Sequence, residues 1–384
     1  MTVYLDHAAT TPLDPRVLEA MRPLLEHDFA NPSSIHAPGR AARAAVERAR
    51  EQVAAALGVS PLEVLFTSGG TESDNQAVKG IAWAGRDAGR GAHVVTTAIE
   101  HHAVLDAVEW LGSAQGFEVT VVPVERDGVV DPERLLAAVR DDTVLVSVMA
   151  ANNEIGTIQP LEVIGPALAE RGVPLHTDAV QGFGRSRLAW DEWHLGALSL
   201  SAHKFNGPKG VGVLALRRDL AATPVLHGGG QERGVRSGTY NAPGIVGCGA
   251  AAALTVAEAD TEVPRLRALR DRLLDGLLAV DGVTLNGSAE RRLPHNANVA
   301  VAECDGEALL FALDAAGVAA STGSACQSGA AAPSHVLAAI GAPSDCAHLR
   351  FTCGRTTTEA DIDTAVEAFT DAVKRLRDAG GGFV

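Results

Sequence analysis

The chain has 384 residues, 46% of them hydrophobic, so it is long enough to bury a large core and to form about two domains. Its 32 basic and 47 acidic residues give a net charge of −15, which disfavours direct binding to nucleic acid or to an anionic membrane. We expect a cytoplasmic protein, because the first residues lack the basic and apolar regions of a secretory signal and no apolar stretch approaches the roughly 20 residues of a membrane span.

Strands and helices alternate through the first half of the chain. The predicted strands are Glu63–Thr67, His93–Thr97, Glu118–Val122, Thr143–Met149, Val173–Thr177 and Ala197–Ser201. The predicted helices are Thr71–Arg86, Ala103–Gln115, Pro132–Arg140 and Leu161–Arg171. Because most of these strands are apolar without alternation, we expect a mainly parallel sheet buried between helices. Ligands of such a sheet bind at the carboxyl ends of its strands.

The pattern changes after about Ala257. The elements predicted from there are a charged helix Thr261–Val280, strands at Val283–Leu285, Ala297–Ala302 and His348–Thr352, and helices near Glu307–Ala316 and Glu359–Arg377. We expect a smaller α/β domain over residues 257–384, joined by the N-terminal segment 1–13, beside a large domain over residues 14–256. The small residues of 321–334 show little periodicity and predict a mobile loop.

A strand, a glycine turn and a helix start follow one another in the segment VLFTSGGTES, residues 64–73. Such a turn directs backbone N–H groups and the positive end of a helix dipole to one point, where a phosphate can bind. The alternative is a capping box formed by Thr71 and Asp74. The segment alone does not decide between the two.

Lys204 and Asp178 each follow an apolar strand that should be buried. Most lysines are solvated surface charges, but a lysine in such a place can have the lowered pKa needed to react with an aldehyde cofactor. A carboxylate at Asp178 would be costly without a partner, and a protonated pyridine nitrogen would supply one.

The five cysteines are an odd number without a C-x-x-C pair, which argues against a disulfide framework and a zinc ribbon. Cys248, Cys304 and Cys353 lie in apolar or Gly/Ala-rich runs and are typical of buried thiols. The surroundings of Cys346 indicate neither a buried nor a reactive thiol. Cys326 lies among small polar residues and is predicted to be an exposed, reactive thiol. No Cys/His ligand spacing indicates a metal site.

Motifs along almost the whole chain resemble those of cysteine desulfurases of the NifS/IscS type, in the class V aminotransferase group of fold-type I pyridoxal-phosphate enzymes. The matching motifs are YLDHAATTP (4–12), FTSGGTESDN (66–75), NNEIG (152–156), the segments around Asp178 and Lys204, residues 227–239 and 321–328, and LRFTCGR (349–355). The resemblance implies the fold of that group, with a large cofactor-binding domain and a smaller C-terminal α/β domain.

The resemblance also implies which residues bind the cofactor, pyridoxal 5'-phosphate. Lys204 would bind it covalently, Asp178 would pair with its pyridinium nitrogen, and His101 would stack on its ring. Gln181 would bond the phenolic oxygen, and Asn153 would lie beside both cofactor and substrate. The phosphate would be held by Gly70, Thr71, Ser201 and His203, with Thr239 from the other subunit of a homodimer.

For the substrate, L-cysteine, the resemblance implies that Arg350 binds the carboxylate and that Asn31 borders the same pocket. Lys204 would move the Cα proton and His101 would handle a proton for the attacking thiol. Cys326 would take the sulfur as a persulfide, leaving L-alanine, and pass it to an acceptor protein in iron–sulfur cluster assembly, tRNA thiolation or other sulfur trafficking.

Two alternatives remain open. Another class V enzyme, such as a selenocysteine lyase or an aminotransferase, would share Lys204 and Asp178 without needing Cys326. A non-catalytic sulfur-transfer scaffold would have kept the fold and lost the reaction, although the presence of His101 and Arg350 argues against that loss.

Overall fold

The structure is a computed structural model, and it describes residues 2–322 and 334–380. Its strands are β1 (Val3–Tyr4), β2 (Val64–Thr67), β3 (His93–Thr97), β4 (Glu118–Val122), β5 (Thr143–Ser147), β6 (Leu175–Asp178), β7 (Leu195–Ser201), β8 (Gly212–Leu216), β9 (Val283–Leu285), β10 (Asn296–Val301), β11 (Val318–Ala319) and β12 (Ala347–Thr352). Its helices are α1 (Pro15–Glu26), α2 (Ala37–Leu57), α3 (Gly70–Asp87), α4 (His102–Gln115), α5 (Pro132–Ala137), α6 (Leu161–Glu170), α7 (Ala242–Ala257), α8 (Ala259–Leu278), α9 (Gly306–Ala315), α10 (His335–Ala339) and α11 (Glu359–Gly380).

Seven strands form the central sheet in the order β2-β8-β7-β6-β5-β3-β4. The pairs from β7 through β6, β5 and β3 to β4 are all parallel. β8 runs antiparallel to both of its neighbours, β7 and β2. The prediction of a mainly parallel sheet is confirmed, and β8 is the one strand of this sheet that the sequence pattern did not indicate.

Both faces of the central sheet are covered, which explains why its strands read as apolar runs. Successive residues of a strand point to opposite faces. Val64 and Phe66 accordingly belong to one hydrophobic core, together with side chains of α1, α2, α6 and α7, whereas Leu65 between them belongs to a second core with α3 and α4. The sheet is therefore the middle layer of three.

One glycine lets β8 pass close to the turn between β2 and α3. A Cβ atom at Gly212 would lie 2.5 Å from the carbonyl carbon of Gly69, a distance at which the backbone would have to move. Glycine is required at this position by the close approach. The contact holds the start of α3 against the end of the sheet.

A third hydrophobic core is formed mainly by α8, α9, α11 and an antiparallel sheet in the order β12-β10-β9. Val3 and Leu5 from the beginning of the chain belong to this core, and β1 pairs in parallel with β11. The N-terminal segment thus packs with residues more than 250 positions away, and it reaches the central sheet from there.

Helices α7 and α8 follow each other with a bend of 75°. No single described helix is both long and apolar enough to cross a bilayer, and this bent pair satisfies the two criteria only when its helices are taken together. Many side chains of α7 are buried in the core beside the central sheet, among them Ile245, Cys248 and Ala252.

Candidate active site

A cavity of about 680 Å³ lies at the carboxyl ends of β3, β5, β6 and β7. Parallel strands collect ligand-binding loops at this edge of a sheet. The predicted site residues that line the cavity are Gly70, Thr71, His101, Asn153, Asp178, Gln181, Ser201, His203, Lys204 and Arg350. The structure therefore brings together side chains that are far apart in the sequence.

Lys204 lies in a short 3₁₀ turn, Ala202–Lys204, that follows β7. Its Nζ donates to the backbone carbonyls of Ala8 and Ala9 at 2.6 and 2.8 Å. Its own carbonyl accepts a hydrogen bond of 2.7 Å from Nη2 of Arg185. The N-terminal segment forms a wall of the cavity and holds the lysine ammonium group there.

Asp178 ends β6, and its Oδ1 accepts a hydrogen bond of 2.9 Å from the backbone N–H of Val180. Burial raises the pKa of the Asp178 carboxyl, while the nearby His101 and Lys204 act in the opposite direction. A buried carboxylate is stabilised by a cationic partner. The ionised form of Asp178 therefore favours a positively charged group in the cavity.

Asp74 lies behind Asp178 in a buried polar network. The ring of His176 bonds the hydroxyl of Ser147 at 2.9 Å and that of Ser199 at 3.0 Å, and it lies 3.6 Å from Oδ1 of Asp74. Burial lowers the pKa of His176 to about 3, so its imidazole is neutral. Burial and the charge of Asp178 raise the pKa of Asp74 well above its usual value, which favours a protonated Asp74.

Asp74, His101 and Asp178 place potential metal-ligand atoms within 4.8 Å of one another. The same cavity is lined by three basic side chains, those of Lys204, Lys209 and Arg350. These positive charges oppose a bound cation. We interpret Asp74, His101 and Asp178 as part of an organic cofactor site. The absence of a metal site stays a prediction.

His101 is the N-cap residue of α4, and its Nδ1 accepts a hydrogen bond of 3.1 Å from the N–H of Ala103. In the neutral imidazole this assigns the proton to Nε2. The preceding residue, Glu100, is fully buried and accepts hydrogen bonds from Oγ1 of Thr97 at 2.7 Å and from the N–H of Met149 at 2.9 Å. Glu100 thereby fixes the backbone before His101 to the end of β5.

Burial raises the pKa of the Glu100 carboxyl to about 8. Glu100 was not among the predicted site residues, and its position next to a predicted ring-stacking histidine was the available signal. Asp74 was considered only as a capping residue, and Lys209 was not considered as a cavity residue. Lys209 follows Lys204 after a glycine-containing turn, which was the signal in that case.

The start of α3 supplies a cradle for an anion. The helix begins at Gly70 with Gly69 as its N-cap residue, and no side chain caps it, so the capping-box interpretation of Thr71 and Asp74 is wrong. A Cβ atom at Gly70 would lie 3.0 Å from Cγ2 of Val180, which favours glycine at this position. The uncapped N–H groups of the first turn can bind a phosphate.

His203 adjoins this cradle and bonds the hydroxyl of Thr10 through Nδ1 at 3.1 Å. Burial, together with the charges of Lys204 and Lys209, lowers the pKa of His203 to about 4. A neutral imidazole with Nδ1 bonded to a hydroxyl still offers one ring nitrogen to a ligand. Ser201 lines the cavity on the same side.

Arg350 comes from β12 and is almost completely buried. Its Nη1 donates to the carbonyl of Asn153 at 2.9 Å, and its Nη2 donates to Oδ1 of Asp6 at 2.8 Å. The turn that carries Asn153 is shaped by Asn152, whose Oδ1 accepts hydrogen bonds from the N–H groups of Glu154 and Ile155. The guanidinium group is thus fixed at the edge of the cavity.

The lining residues fit the cofactor that the sequence resemblance implies. Nε2 of Gln181 donates to the carbonyl of Ala8 at 2.9 Å, but its buried Oε1 has no partner among the described residues. A buried polar atom of this kind is normally satisfied by a bonding group. A lysine, a carboxylate, an uncapped helix start and this amide oxygen together match an aromatic aldehyde that carries a ring nitrogen and a phosphate.

Two predicted site residues, Asn31 and Thr239, do not line the cavity of this single chain. Asn31 and Thr239 are exposed, and Cys326 lies outside the described residues. On one side of residues 323–333, Ser321 contacts the site by exchanging two backbone hydrogen bonds with Arg350, at 2.6 and 3.1 Å. On the other side, Oγ of Ser334 donates to Oε2 of Glu154 at 2.6 Å.

Comparisons with known proteins agree with this geometry. Residues 3–365 match the family described as aminotransferase class-V. A protein named cysteine desulfurase IscS from Methanosarcina thermophila is 49% identical over 378 residues, which cover 98% of this chain and 93% of the relative. An IscS-like cysteine desulfurase from Mycobacterium tuberculosis is 50% identical over 383 residues, covering 98% and 97%. A solved NifS-like protein is 38% identical, covers 98% of this chain and 100% of its own, and superposes with a TM-score of 0.91.

Proposed function

This chain belongs to the class-V aminotransferase family and is a pyridoxal-phosphate-dependent cysteine desulfurase, and from that premise we propose how its residues divide the reaction. The observation that carries the proposal is the single cavity in which Lys204, Asp178, His101 and Arg350 meet. Each of these residues comes from a different segment of the chain.

The cofactor is bound, in this proposal, by residues of four segments. Lys204 holds it covalently, and Asp178 pairs with the ring nitrogen, as the opposing effects of burial and neighbouring charge on its pKa support. Gln181 supplies the amide oxygen that lacks a partner, and His101 stacks on the ring. The phosphate is bound by the start of α3 with Gly70 and Thr71, together with Ser201 and His203.

The substrate L-cysteine is bound through its carboxylate by Arg350, whose planar guanidinium group suits that task. Asn153 lies next to Arg350 and borders both cofactor and substrate. When bound, pyridoxal phosphate supplies an electron sink that stabilises negative charge at the substrate Cα. Nζ of Lys204 removes the proton from Cα, and after the carbon–sulfur bond has broken a proton returns to the substrate to give L-alanine.

Cys326 is the sulfur acceptor. Its thiolate forms a sulfur–sulfur bond with the substrate sulfur while the bond between that sulfur and Cβ breaks, which leaves a persulfide on Cys326 and the electron pair on the substrate. Nε2 of His101 carries the proton in the neutral imidazole, which suits it to proton exchange with the thiol. The described cysteines suit this task less well, since burial raises the pKa of all four: to about 12 for Cys248 and Cys353, and in the same direction for Cys304 and Cys346.

A homodimer completes the site in this proposal. Thr239 and Asn31 are exposed in the single chain and do not line its cavity, although the sequence resemblance assigns both to the site. Thr239 of a second copy would then bond the cofactor phosphate. The large domain comprises residues 14–256 and the small domain residues 257–384 with the N-terminal segment 1–13. The separate core that Val3 and Leu5 share with α8, α9 and α11 supports this division, although Val336, Leu337 and Ile340 of α10 pack in the core of the large domain.

The persulfide sulfur passes to an acceptor protein. The proposed use is iron–sulfur cluster assembly, with tRNA thiolation and other sulfur trafficking as the alternatives. We place the enzyme in the cytoplasm, where the reduced state of its thiols is maintained, since the described cysteines are all unpaired.

A direct experiment separates desulfuration from transamination. The purified holoenzyme is incubated with L-cysteine, with and without a 2-oxo acid, and alanine and sulfide are measured in the presence of a thiol reductant. A desulfurase produces alanine and sulfide in equal amounts without the 2-oxo acid. Production of the amino acid derived from the 2-oxo acid, without sulfide, would instead identify an aminotransferase. Lys204→Ala should abolish both products.

A further inference from the structure

A second cavity, of about 810 Å³, lies behind the candidate active site. Met149 and Ala151 line the active-site cavity, whereas Ala150 lines the second one, so one stretch of backbone separates the two. The second cavity is bordered by the turn of residues 183–188, by the first turns of α8 and by residues 291–294. We call it the arginine cleft, after its basic lining residues Arg185, Arg187, Arg267, Arg291 and Arg292.

The arginine cleft has an excess of positive charge in a chain whose net charge is −15. Glu162 and Asp260 are the acidic residues among its described lining residues. Arg291 bonds Glu162 at 2.8 Å, and Arg187 forms an ion pair with Glu192 outside the cleft. These pairs leave three of the five arginines without an acidic group at ion-pair distance in the described part of the chain.

Arg292 is one of these three, and it is deeply buried, with 5% of its surface exposed. Its nitrogens donate to the carbonyls of Ser288 and Asn286 and to Asn296, all of them neutral groups. Burial lowers the pKa of the Arg292 guanidinium to about 9, and the charge of Arg270 acts in the same direction. The hydrogen bonds fix the side chain but do not neutralise its charge.

Arg185 is the second cleft arginine without an acidic group at ion-pair distance. Its Nη2 donates to the carbonyl of Lys204, while its Nη1 is shielded from solvent and has no partner among the described residues. Burial lowers the pKa of Arg185 to about 10, although the charge of Glu262 acts in the opposite direction. Arg267, the third, is exposed at the cleft and forms no ion pair with a described residue. The cleft therefore combines two shielded cations with one that is open to solvent.

Burying a guanidinium group without a counter-charge is unfavourable, and an anion beside it offsets the cost. The planar fork of arginine matches carboxylate and phosphate groups. The volume of the cleft lies within the range of about 300–1,000 Å³ that is typical of small-molecule pockets. A single phosphate would occupy a small part of this space, whereas a molecule with several acidic groups could reach more than one arginine.

We propose that the arginine cleft binds a small organic anion that carries two or more carboxylate or phosphate groups. The site is distinct from the pocket for cofactor and substrate, and Arg185 links the two because the same guanidinium group bonds the backbone of Lys204. The proposal does not depend on how the residues of the active site divide the desulfurase reaction.

Citrate serves as the probe that carries carboxylate groups, and pyrophosphate as the probe that carries phosphate groups. Each is titrated into the holoenzyme by isothermal calorimetry at constant ionic strength, so that general screening by salt does not change during the titration. The variants are Arg267→Ala, which is exposed and should fold, and Arg292→Met, which removes a buried charge. Arg375→Ala on α11 is the matched control, since Arg375 is exposed and is not among the residues that line the cleft. Bound cofactor occupies the phosphate cradle, and L-alanine is added to occupy the substrate carboxylate site.

We expect saturable binding of at least one probe, weakened about tenfold by Arg267→Ala and unchanged by Arg375→Ala or by L-alanine. Arg292→Met, if it folds, should weaken binding in the same direction. The proposal is overturned if neither probe binds saturably in the millimolar range, if Arg267→Ala and Arg375→Ala bind the probe equally well, or if L-alanine displaces it.

Discussion

Arg350 and Asn153 connect two parts of the chain by a hydrogen bond of 2.9 Å, from Nη1 of Arg350 to the carbonyl oxygen of Asn153. Arg350 belongs to β12 of the small antiparallel sheet, and Asn153 lies in the turn after β5 of the central sheet. A substrate carboxylate bound to Arg350 is therefore held where the two sheets meet. The strength of substrate binding should depend on the relative position of these two sheets.

Arg350→Lys should raise the KM for L-cysteine and lower kcat/KM by about 10- to 100-fold, because a lysine cannot reproduce two charge-assisted hydrogen bonds. Steady-state alanine production measures the effect, and the absorbance of the bound cofactor should be unchanged. Arg272→Lys is a control for the same substitution on the surface, where Arg272 pairs with Asp363. An unchanged KM in Arg350→Lys would exclude Arg350 from substrate binding.

Asp74→Asn should leave cofactor binding and activity close to those of the parent. Burial and the charge of Asp178 raise the pKa of Asp74, which favours its protonated form, and the amide resembles that form in both shape and charge. Asp178→Asn, by contrast, removes the proposed partner of the ring nitrogen and should strongly weaken the binding of the cofactor. Equilibrium dialysis of the cofactor compares the two variants. Equal losses in both variants would mean that Asp74 is ionised.

Glu100→Gln should change how stability depends on pH. The pKa of Glu100 is about 8 in the folded protein and about 4.3 when unfolded, so the parent loses stability as pH rises between these values. Glutamine does not titrate and can keep the bonds from Thr97 and Met149. The stability of the variant relative to the parent should rise by up to about 1.4 kcal/mol per pH unit in this window. Urea unfolding at several pH values tests this, and parallel curves for the two proteins would contradict it.

Ser334→Ala should destabilise the protein by about 1.5–3 kcal/mol, because it leaves the buried carboxylate of Glu154 without its 2.6 Å hydrogen bond. The same hydroxyl accepts a bond from the N–H of Leu337 at the start of α10. Thr364→Ala removes an exposed hydroxyl from α11 and is the control. Urea midpoints compare the two, and an equal loss in both variants would show that the Ser334 contact contributes nothing of its own.

The central sheet could be predicted because its strands are short apolar runs with both faces buried. β3 and β4 have the predicted bounds, and β5 ends at Ser147 rather than Met149. The apolar residues beyond Ser147 lie outside the assigned strand, but Val148 and Ala150 still donate backbone hydrogen bonds to His176 and Asp178 of β6 as the chain approaches the site. β8 could not be recognised, since its identity as a strand depends on pairing with β7 and β2 rather than on its own pattern.

The candidate site could be predicted where a motif carries its own chemistry, as with Lys204 and Asp178 at strand ends. The role of Asp74 stayed open in the sequence because a helix start with an acid at the fourth position has the same pattern whether or not the acid caps the helix. Its contact with His176 is long-range and leaves no local signal. The hydrogen bond from Arg185 to the carbonyl of Lys204 likewise leaves no local signal, because only the folded chain brings the two groups together.

The central claim is that Cys326 takes the sulfur while Lys204 and Asp178 serve the cofactor. A single turnover of the holoenzyme with L-cysteine, followed by alanine measurement and mass spectrometry of the peptide containing Cys326, tests it most directly. The parent should form one alanine per site and gain one sulfur atom on Cys326, whereas Cys326→Ala should keep the cofactor absorbance and form no alanine. Alanine and sulfide from Cys326→Ala at the rate of the parent would contradict the claim.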